Sequence, residues 1–399
     1  MNKTKILSFF LLLILSGPIF AQSEAEILKK ANDLIEDKKY ESAFRVLDTF
    51  DKDNVKPEIV LLKEDILLSY FVTSMMHQLF ALKDLKKTED ISDYRGKEGS
   101  FDMHMFEADS ILLVLIKKYP ENYKLYKGLG DFYYAAQTHY SGNWLKNDST
   151  LFELIIRNYR IAAEHGLGDH SMYFALGLSN LSLSNYKKAI PDLLKAIELK
   201  KDYVDAEYNL AYAYLFTDDR ENAIKYAKIS IDHYTDPELK SDAARMVAQA
   251  YLELKDDKNA IKYYELARSL SPANYENIRP LLDLYVKTGN SKKDVIRDAF
   301  FELAPEKPTI YNDLSQIYLQ YEKTSELLAF FKKQLSHYAG DKKVSGNLYF
   351  YLGRLYLDVD KKQSKEYFLK AKDIFATVYE KDNAVFDSIQ EGIQQAEEK

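Results

Sequence analysis

Cysteine is absent from this 399-residue chain. That excludes disulfides, thiolate nucleophiles, cysteine-ligated zinc or iron–sulfur clusters, and a lipid anchor on an N-terminal cysteine. Glycine (14 residues) and proline (9) are scarce, which argues against short strands joined by tight turns and makes helices the expectation. There is no His-Glu-x-x-His and no Gly-x-Ser-x-Gly, the patterns that set a zinc pair on one helix face or a serine at a strained elbow. The 7 histidines are scattered, and 62 acidic residues create carboxylate pairs throughout, which solvated helix faces explain without a general acid and base. Positive charge is short as well. The net charge of −7 disfavours nucleic acid and anionic membrane surfaces as partners.

The first residues, MNKTKILSFFLLLILSGPIFAQ, combine Lys3 and Lys5 with an apolar run from Ile6 to Leu15, a Gly17-Pro18 breaker and a small residue at Ala21. This is the layout of a secretory signal over 1–21, with cleavage expected after Ala21. Its apolar run is short for a bilayer, and no later stretch is apolar enough to cross one. Cleavage removes two lysines and no acids, taking the net charge from −7 to −9. The expectation is a periplasmic or secreted protein that does not insert into the membrane after cleavage.

What the chain has is a repeated phrase: SNYKKAIPDLLKAIEL from 184, DDRENAIKYAKISI from 218 and KDDKNAIKYYELARSLSP from 255. Aligned on Ala189, Ala223 and Ala260, the copies lie 34 and 37 residues apart. The segments before them place Leu176, Leu210 and Val247 in register, each followed by a small residue, Gly177, Ala211 or Ala248. Two antiparallel helices that touch closely need this pattern, with small residues at the crossing and large ones such as Tyr214, Tyr251, Leu193 and Tyr264 filling either side.

At this spacing the segment resembles the tetratricopeptide repeat, whose pattern runs W-x2-L-G-x2-Y, then A-x3-F-x2-A, then P. Leu176-Gly177, Tyr214, Tyr251, Ala189, Ala223, Ala260, Ala267 and Pro272 stand where the pattern wants them. Weaker units carry Leu129-Gly130 with Tyr133, Leu281 with Tyr285, Leu314 with Tyr318, and Leu352-Gly353 with Tyr356 and Phe368. The resemblance implies an all-α fold, a right-handed superhelical solenoid of antiparallel helix hairpins. Repeats cover 123–380, most clearly 170–272. Degenerate hairpins fill 22–122, and a capping helix with Phe386, Ile389 and Ile393 fills 381–399. Within 22–122, PEIVLLKEDILLSYFVTSMMHQLFALKDL from Pro57 reads as one long helix with Met75, Met76 and Phe80 in the core, and 86–100 as a loop.

In this family the first helix of each hairpin lines a concave groove through its second, fifth, ninth, twelfth and thirteenth positions. Carried over, the resemblance implies a groove of Phe174, Tyr208, Tyr212, Arg245, Gln249, Arg279, Asp283, Asn312, Gln316, Phe350 and Arg354. Aromatic rings, arginines and amides are what a peptide-binding surface uses. Family members that clamp a C-terminal carboxylate have lysine and asparagine at the fifth and ninth positions. The best-matching unit here has Phe174 and Leu178, which does not support a clamp.

Two local features compete for attention. EHGLGDHSMYFALG, from Glu164, offers Glu164, His165, Asp169 and His170 as metal ligands. It also reads as a helix junction, with Gly166 in the left-handed conformation, His165 at the negative helix end and Asp169 capping the next helix. THYSGNWLKNDST, 138–150, reads as a long loop with His139, Tyr140 and the single Trp144 as loop binding candidates. The function expected is an exported scaffold that binds a protein or peptide in its groove, with no catalytic residue, metal or cofactor, and with ends through which two copies could pair. A carbohydrate-binding surface using the same tyrosines and Trp144 is the rival, and the missing anchor cysteine counts against it. A hydrolase or metalloenzyme would need a convergent polar site around 139–170.

Overall fold

The computed structural model describes residues 23–75, 78–97, 99, 101–140 and 145–398; the expected signal segment lies outside them. Two compact units divide the chain at Leu199 and Lys200. The first contains α1 (Glu24–Glu36), α2 (Tyr40–Phe50), α3 (Pro57–Tyr70), β1 (Thr73–Met75), β2 (Leu79–Ala81), β3 (Met103–Met105), α4 (Ala108–Lys118), α5 (Tyr123–Tyr140), α6 (Asp148–Glu164), α7 (His170–Ser182) and α8 (Tyr186–Leu199). The second contains α9 (Val204–Leu215), α10 (Arg220–His233), α11 (Pro237–Glu253), α12 (Asp257–Leu270), α13 (Tyr275–Thr288), α14 (Lys293–Phe301), α15 (Pro308–Gln320), α16 (Thr324–His337), α17 (Lys342–Tyr356), α18 (Lys361–Phe375) and α19 (Val385–Glu397). Among the described residues, no helix is long and apolar enough to cross a membrane.

Helices start where a short acceptor meets the free N–H groups of a first turn. Ser23 and Glu26 form a reciprocal box at α1. Asp169, Asp219, Asp256, Asp341 and Asp360 accept from backbone N–H groups at the starts of α7, α10, α12, α17 and α18. Six hairpins turn through a left-handed residue, Lys38, Ser184, Asp218, Lys255, Gly289 or Glu322, with φ between +57° and +68°. One turn geometry thus recurs although only one of the six is glycine.

Consecutive helices pair within each unit, as the repeat spacing requires. Ala189, Ala196, Ala211, Ala223, Ala227, Ala248, Ala260 and Ala267 are all completely buried. At Gly177 an added Cβ would lie 2.5 Å from Leu193 Cγ, so the crossing of α7 and α8 has no room for a larger residue. Successive hairpins are also tied by polar groups. In the first unit, Arg160 on α6 donates through both terminal nitrogens to the buried Asp192 on α8, at 2.9 and 2.8 Å. The C-terminal α19 buries Ile389 and Ile393, with Phe386 packed beside them, and covers α18 as a cap should.

The segment expected as one long helix from Pro57 is instead a helix followed by a small sheet. α3 stops at Tyr70, Phe71 turns extended, and β1, β2 and β3 form an antiparallel sheet with Thr73 opposite Ala81 and Phe80 opposite His104. Periodicity does not separate a short, wholly apolar strand from a buried helix. Here the aromatic and β-branched run Tyr70 to Thr73 and the distant partner at 103–105 decide for the sheet. Phe80 is buried as expected; Met76 lies outside the described residues. The insertion folds back on the first hairpin, where Ser42 donates from N–H and Oγ to Asp84, at 3.1 and 2.6 Å. Arg95 holds its base by donating to the Phe71 and Ser69 carbonyls while its guanidinium covers the Phe71 ring.

Lys63 on α3 is fully buried, and its ammonium donates to Asp48 Oδ1 (2.9 Å), the Asp51 carbonyl (2.7 Å) and Asn54 Oδ1 (2.7 Å). All three of its hydrogens are used. Replacing it with methionine keeps the stem and orphans buried acceptors, so Lys63→Met should lower the unfolding free energy by about 2 kcal/mol in a denaturant titration. Conversely, exposed Lys255 sits in the left-handed region at φ +59°. Lys255→Gly should stabilise the chain by about 0.5 kcal/mol, the left-handed penalty less the extra backbone entropy of glycine.

Candidate binding face on the first helices

In the second unit, α9, α11, α13, α15 and α17 are the first helices of successive hairpins. Each carries two of the groove residues implied by the repeat: Tyr208 and Tyr212, Arg245 and Gln249, Arg279 and Asp283, Asn312 and Gln316, Phe350 and Arg354. Four-residue spacing puts each pair on one helix face. None of the ten is buried. The eleventh, Phe174 on α7, is half-buried in the first unit.

Several of these side chains are held by neighbouring hairpins. Arg279 on α13 donates from Nε to Asp313 (2.9 Å) and from Nη2 to Gln316 (3.1 Å), both on α15. The Tyr275 hydroxyl donates to the same Asp313 carboxylate at 2.5 Å. Asn312 accepts from the Tyr351 hydroxyl (3.0 Å) and from Arg354 (3.3 Å) on α17. Arg245 donates to Asp242 at 2.8 Å, while its Nε is buried without an acceptor. Burial pushes the Asp283 carboxyl upward, against the Tyr321 hydroxyl and the charges of Arg279 and Lys287. Phe350 packs edge-on against Phe368 and, with Arg354, lines a cavity of about 320 Å³ beside α19. Asp313, Tyr275 and Tyr351 were not among the expected groove residues, and they are the groups that orient Arg279 and Asn312.

Of the loop candidates, His139 is the one whose side chain is described. α5 runs through His139 to Tyr140 and α6 begins at Asp148, so the connection is shorter than 138–150. His139 lies within α5 with its ring edge-on to Phe71, 5.9 Å away. Burial, with the nearby Arg95 charge, lowers its pKa. Trp144 lies outside the described residues. At the junction from Glu164, Gly166 has φ +81° and Asp169 caps α7 through Met172 N–H at 2.8 Å. His165 stacks on the Tyr123 ring at 3.4 Å, and the second Asp169 oxygen faces Lys127 at 3.5 Å, so these groups point to different partners rather than to one ion. Among the described residues, histidine and acidic ligand atoms converge at Asp202, Glu207 and His233. The two nitrogens of His233 face different carboxylates there, Nδ1 toward Glu207 at 2.8 Å and Nε2 toward Asp202 at 3.8 Å. The hydrogen bond that His233 makes to the Glu207 carboxylate raises the His233 pKa, as in an ion pair.

One cavity of the first unit was not anticipated. A cavity of about 520 Å³ opens between α3 and α5, the first helices of neighbouring hairpins. The inward positions of the unit aligned on Leu129-Gly130 are Lys124, Lys127, Asp131, Tyr134 and Ala135, and all five line it. Across from them stands Glu64 on α3, only 3% exposed, with no partner for its Oε1. Gly128 makes the space, because an added Cβ would lie 2.6 Å from Glu64 Oε2. Lys127 pairs with Asp131 at 3.0 Å, and the Tyr159 hydroxyl of α6 donates to the same carboxylate at 2.8 Å.

Burial, with the like charges of Asp131 and Asp65, holds the Glu64 carboxyl well above the usual range against the weaker pull of Lys127. The folded chain therefore keeps a proton that the unfolded chain releases above its ordinary value of 4.5. Stability from this group is full below that pH and declines as pH rises above it. In denaturant titrations, Glu64→Gln should gain on the parent as pH rises above the ordinary value of 4.5, by up to about 1.4 kcal/mol per pH unit while Glu64 stays protonated in the folded chain.

Family profiles described as tetratricopeptide repeat match residues 170–203 and 208–275. Among curated proteins, none matches the chain. Similar solved structures include a tetratricopeptide repeat protein from Parabacteroides merdae, at 16% identity, covering 68% of this chain and 99% of its own, with a TM-score of 0.41. The MamA protein is 21% identical, covering 48% of this chain and 96% of its own, with a TM-score of 0.38. YrrB, described as a tetratricopeptide repeat protein with an unusual peptide-binding site, is 16% identical over 47% of this chain and 95% of its own, with a TM-score of 0.36. Residues 170–203 and 208–275 are thus tetratricopeptide repeats, and helix hairpins continue on either side of them.

Proposed function

We propose that the protein is an exported, non-catalytic scaffold that binds a protein or peptide partner along the face of its first helices. The observation that carries this reading is the row of side chains from Tyr208 to Arg354. They lie on successive first helices, stay accessible, and in several cases are held in place by the next hairpin. Side chains already ordered in the free protein lose little entropy on binding, and tyrosine and arginine supply contact area with directed hydrogen bonds. A groove built this way selects an extended or helical segment rather than a small substrate. Export is inferred from the signal layout of the first 21 residues.

Chemical crosslinking and capture from native envelope extract tests the reading. Residues 22–399 are compared with a Tyr212→Ala, Gln249→Ala, Gln316→Ala, Arg354→Ala variant of unchanged circular dichroism. One protein should be captured by the parent and reduced at least about tenfold with the variant, as expected when several contact residues are truncated. Equal capture by both would place the contact elsewhere on the molecule and refute the groove reading.

A further inference from the structure

The cavity between α3 and α5 has a charge balance that its own residues do not satisfy. Glu58, Glu64, Asp65, Asp131 and Asp169 stand in or beside it against two cations. Lys124 is engaged by Glu58 at 3.0 Å, and Lys127 by Asp131 at 3.0 Å and Asp169 at 3.5 Å. Among the described residues no ion pair reaches Glu64 or Asp65. Asp65 accepts the Ser69 hydroxyl at 3.2 Å. The charged groups facing Glu64 are therefore Asp65 on its own helix and Asp131 and Lys127 on α5, while Tyr159 from α6 hydrogen-bonds Asp131. A buried carboxyl oxygen without a partner is costly, and such groups in native proteins call for an explanation.

Beside Ser69 and Ser171, the rest of the wall is largely apolar. Leu61, Leu68, Ala135 and the rings of Tyr134 and Tyr159 line the approach to the acids. An apolar channel leading to an unmatched carboxyl fits a long aliphatic stem that ends in a cation. Building on the partner-binding reading, we infer that this cavity receives a lysine or arginine side chain of the bound partner, whose cation pairs with Glu64. A metal ion would not use the apolar approach, and a carboxylate would meet Glu64, Asp65 and Asp131 as like charges. On binding, the Glu64 O–H bond breaks and its proton passes to solvent. The bonding pair stays on the carboxylate, and the incoming cation keeps its own charge. Association therefore releases up to one proton and strengthens as pH rises through the range in which free Glu64 is protonated.

Nα-acetyl-lysine N-methylamide and its arginine counterpart, titrated calorimetrically into the full protein in buffers of different ionisation enthalpy, test this directly. The uncharged norleucine and the anionic glutamate analogues serve as controls. Saturable binding of a cationic probe is expected, with proton release visible as a buffer-dependent heat. Glu64→Gln should remove the release and weaken binding about tenfold or more, the worth of a charge-assisted contact. If that variant does not fold, the buffer dependence of the unaltered protein decides by itself. Preference for the glutamate analogue, equal binding of norleucine, cation binding without proton release, or no binding at millimolar probe would each overturn the inference. None of these results bears on the second-unit face, whose own variant tests the scaffold reading separately.

Discussion

Close contact between paired helices is the constraint on which the rest depends. Gly130 has the Tyr159 ring 2.4 Å from where its Cβ would stand, Gly177 has Leu193 at 2.5 Å and Gly353 has Phe368 at 2.9 Å. Alanines do the same work at the neighbouring crossings, all fully buried. Without cysteine, these contacts and the apolar faces they bring together must hold the array, since each hairpin leans only on its neighbours. An added methyl group at such a crossing has to displace a large, well-packed partner.

The same packing determines what the first helices can present. Second helices and small crossing residues occupy the interior, which leaves one stripe of each first helix unused by the core. In the second unit that stripe is tied laterally, with Arg279 reaching Asp313 and Gln316, and Arg354 and Tyr351 both reaching Asn312. In the first unit α3 and α5 approach closely at Gly128, where an added Cβ would lie 2.6 Å from Glu64 Oε2 at the edge of a cavity. One architecture therefore yields a stiff polar and aromatic surface in one unit and a pocket with an unmatched acid in the other.

Much of this was legible in the sequence because the repeat is a packing rule written in residue sizes. Alanines spaced 34 and 37 residues apart located the hairpins, and the inward positions located ten accessible residues on five helices. The sheet was not legible. Its strands are three residues long, wholly apolar on one side and paired with 103–105 far along the chain, so local periodicity favoured a helix. The first-unit cavity was half legible: aligning the unit at Leu129-Gly130 would have supplied Lys124, Lys127, Asp131, Tyr134 and Ala135. Glu64 carried no signal, because one acid among 62 becomes distinctive only when folding buries it. His139 misled for the opposite reason, since polar residues after it suggested a loop where α5 continues.

The central claim is that close packing of first helices holds an uncharged carboxyl beside a cavity of the first unit. The most direct measurement is the difference infrared spectrum between the protein and its Glu64→Gln variant, recorded just above the ordinary glutamate value of 4.5. The account predicts a protonated-carboxyl C=O stretch that is present in the parent and missing from the variant. If the parent shows only an additional carboxylate stretch, Glu64 is ionised in the free protein and the account is contradicted.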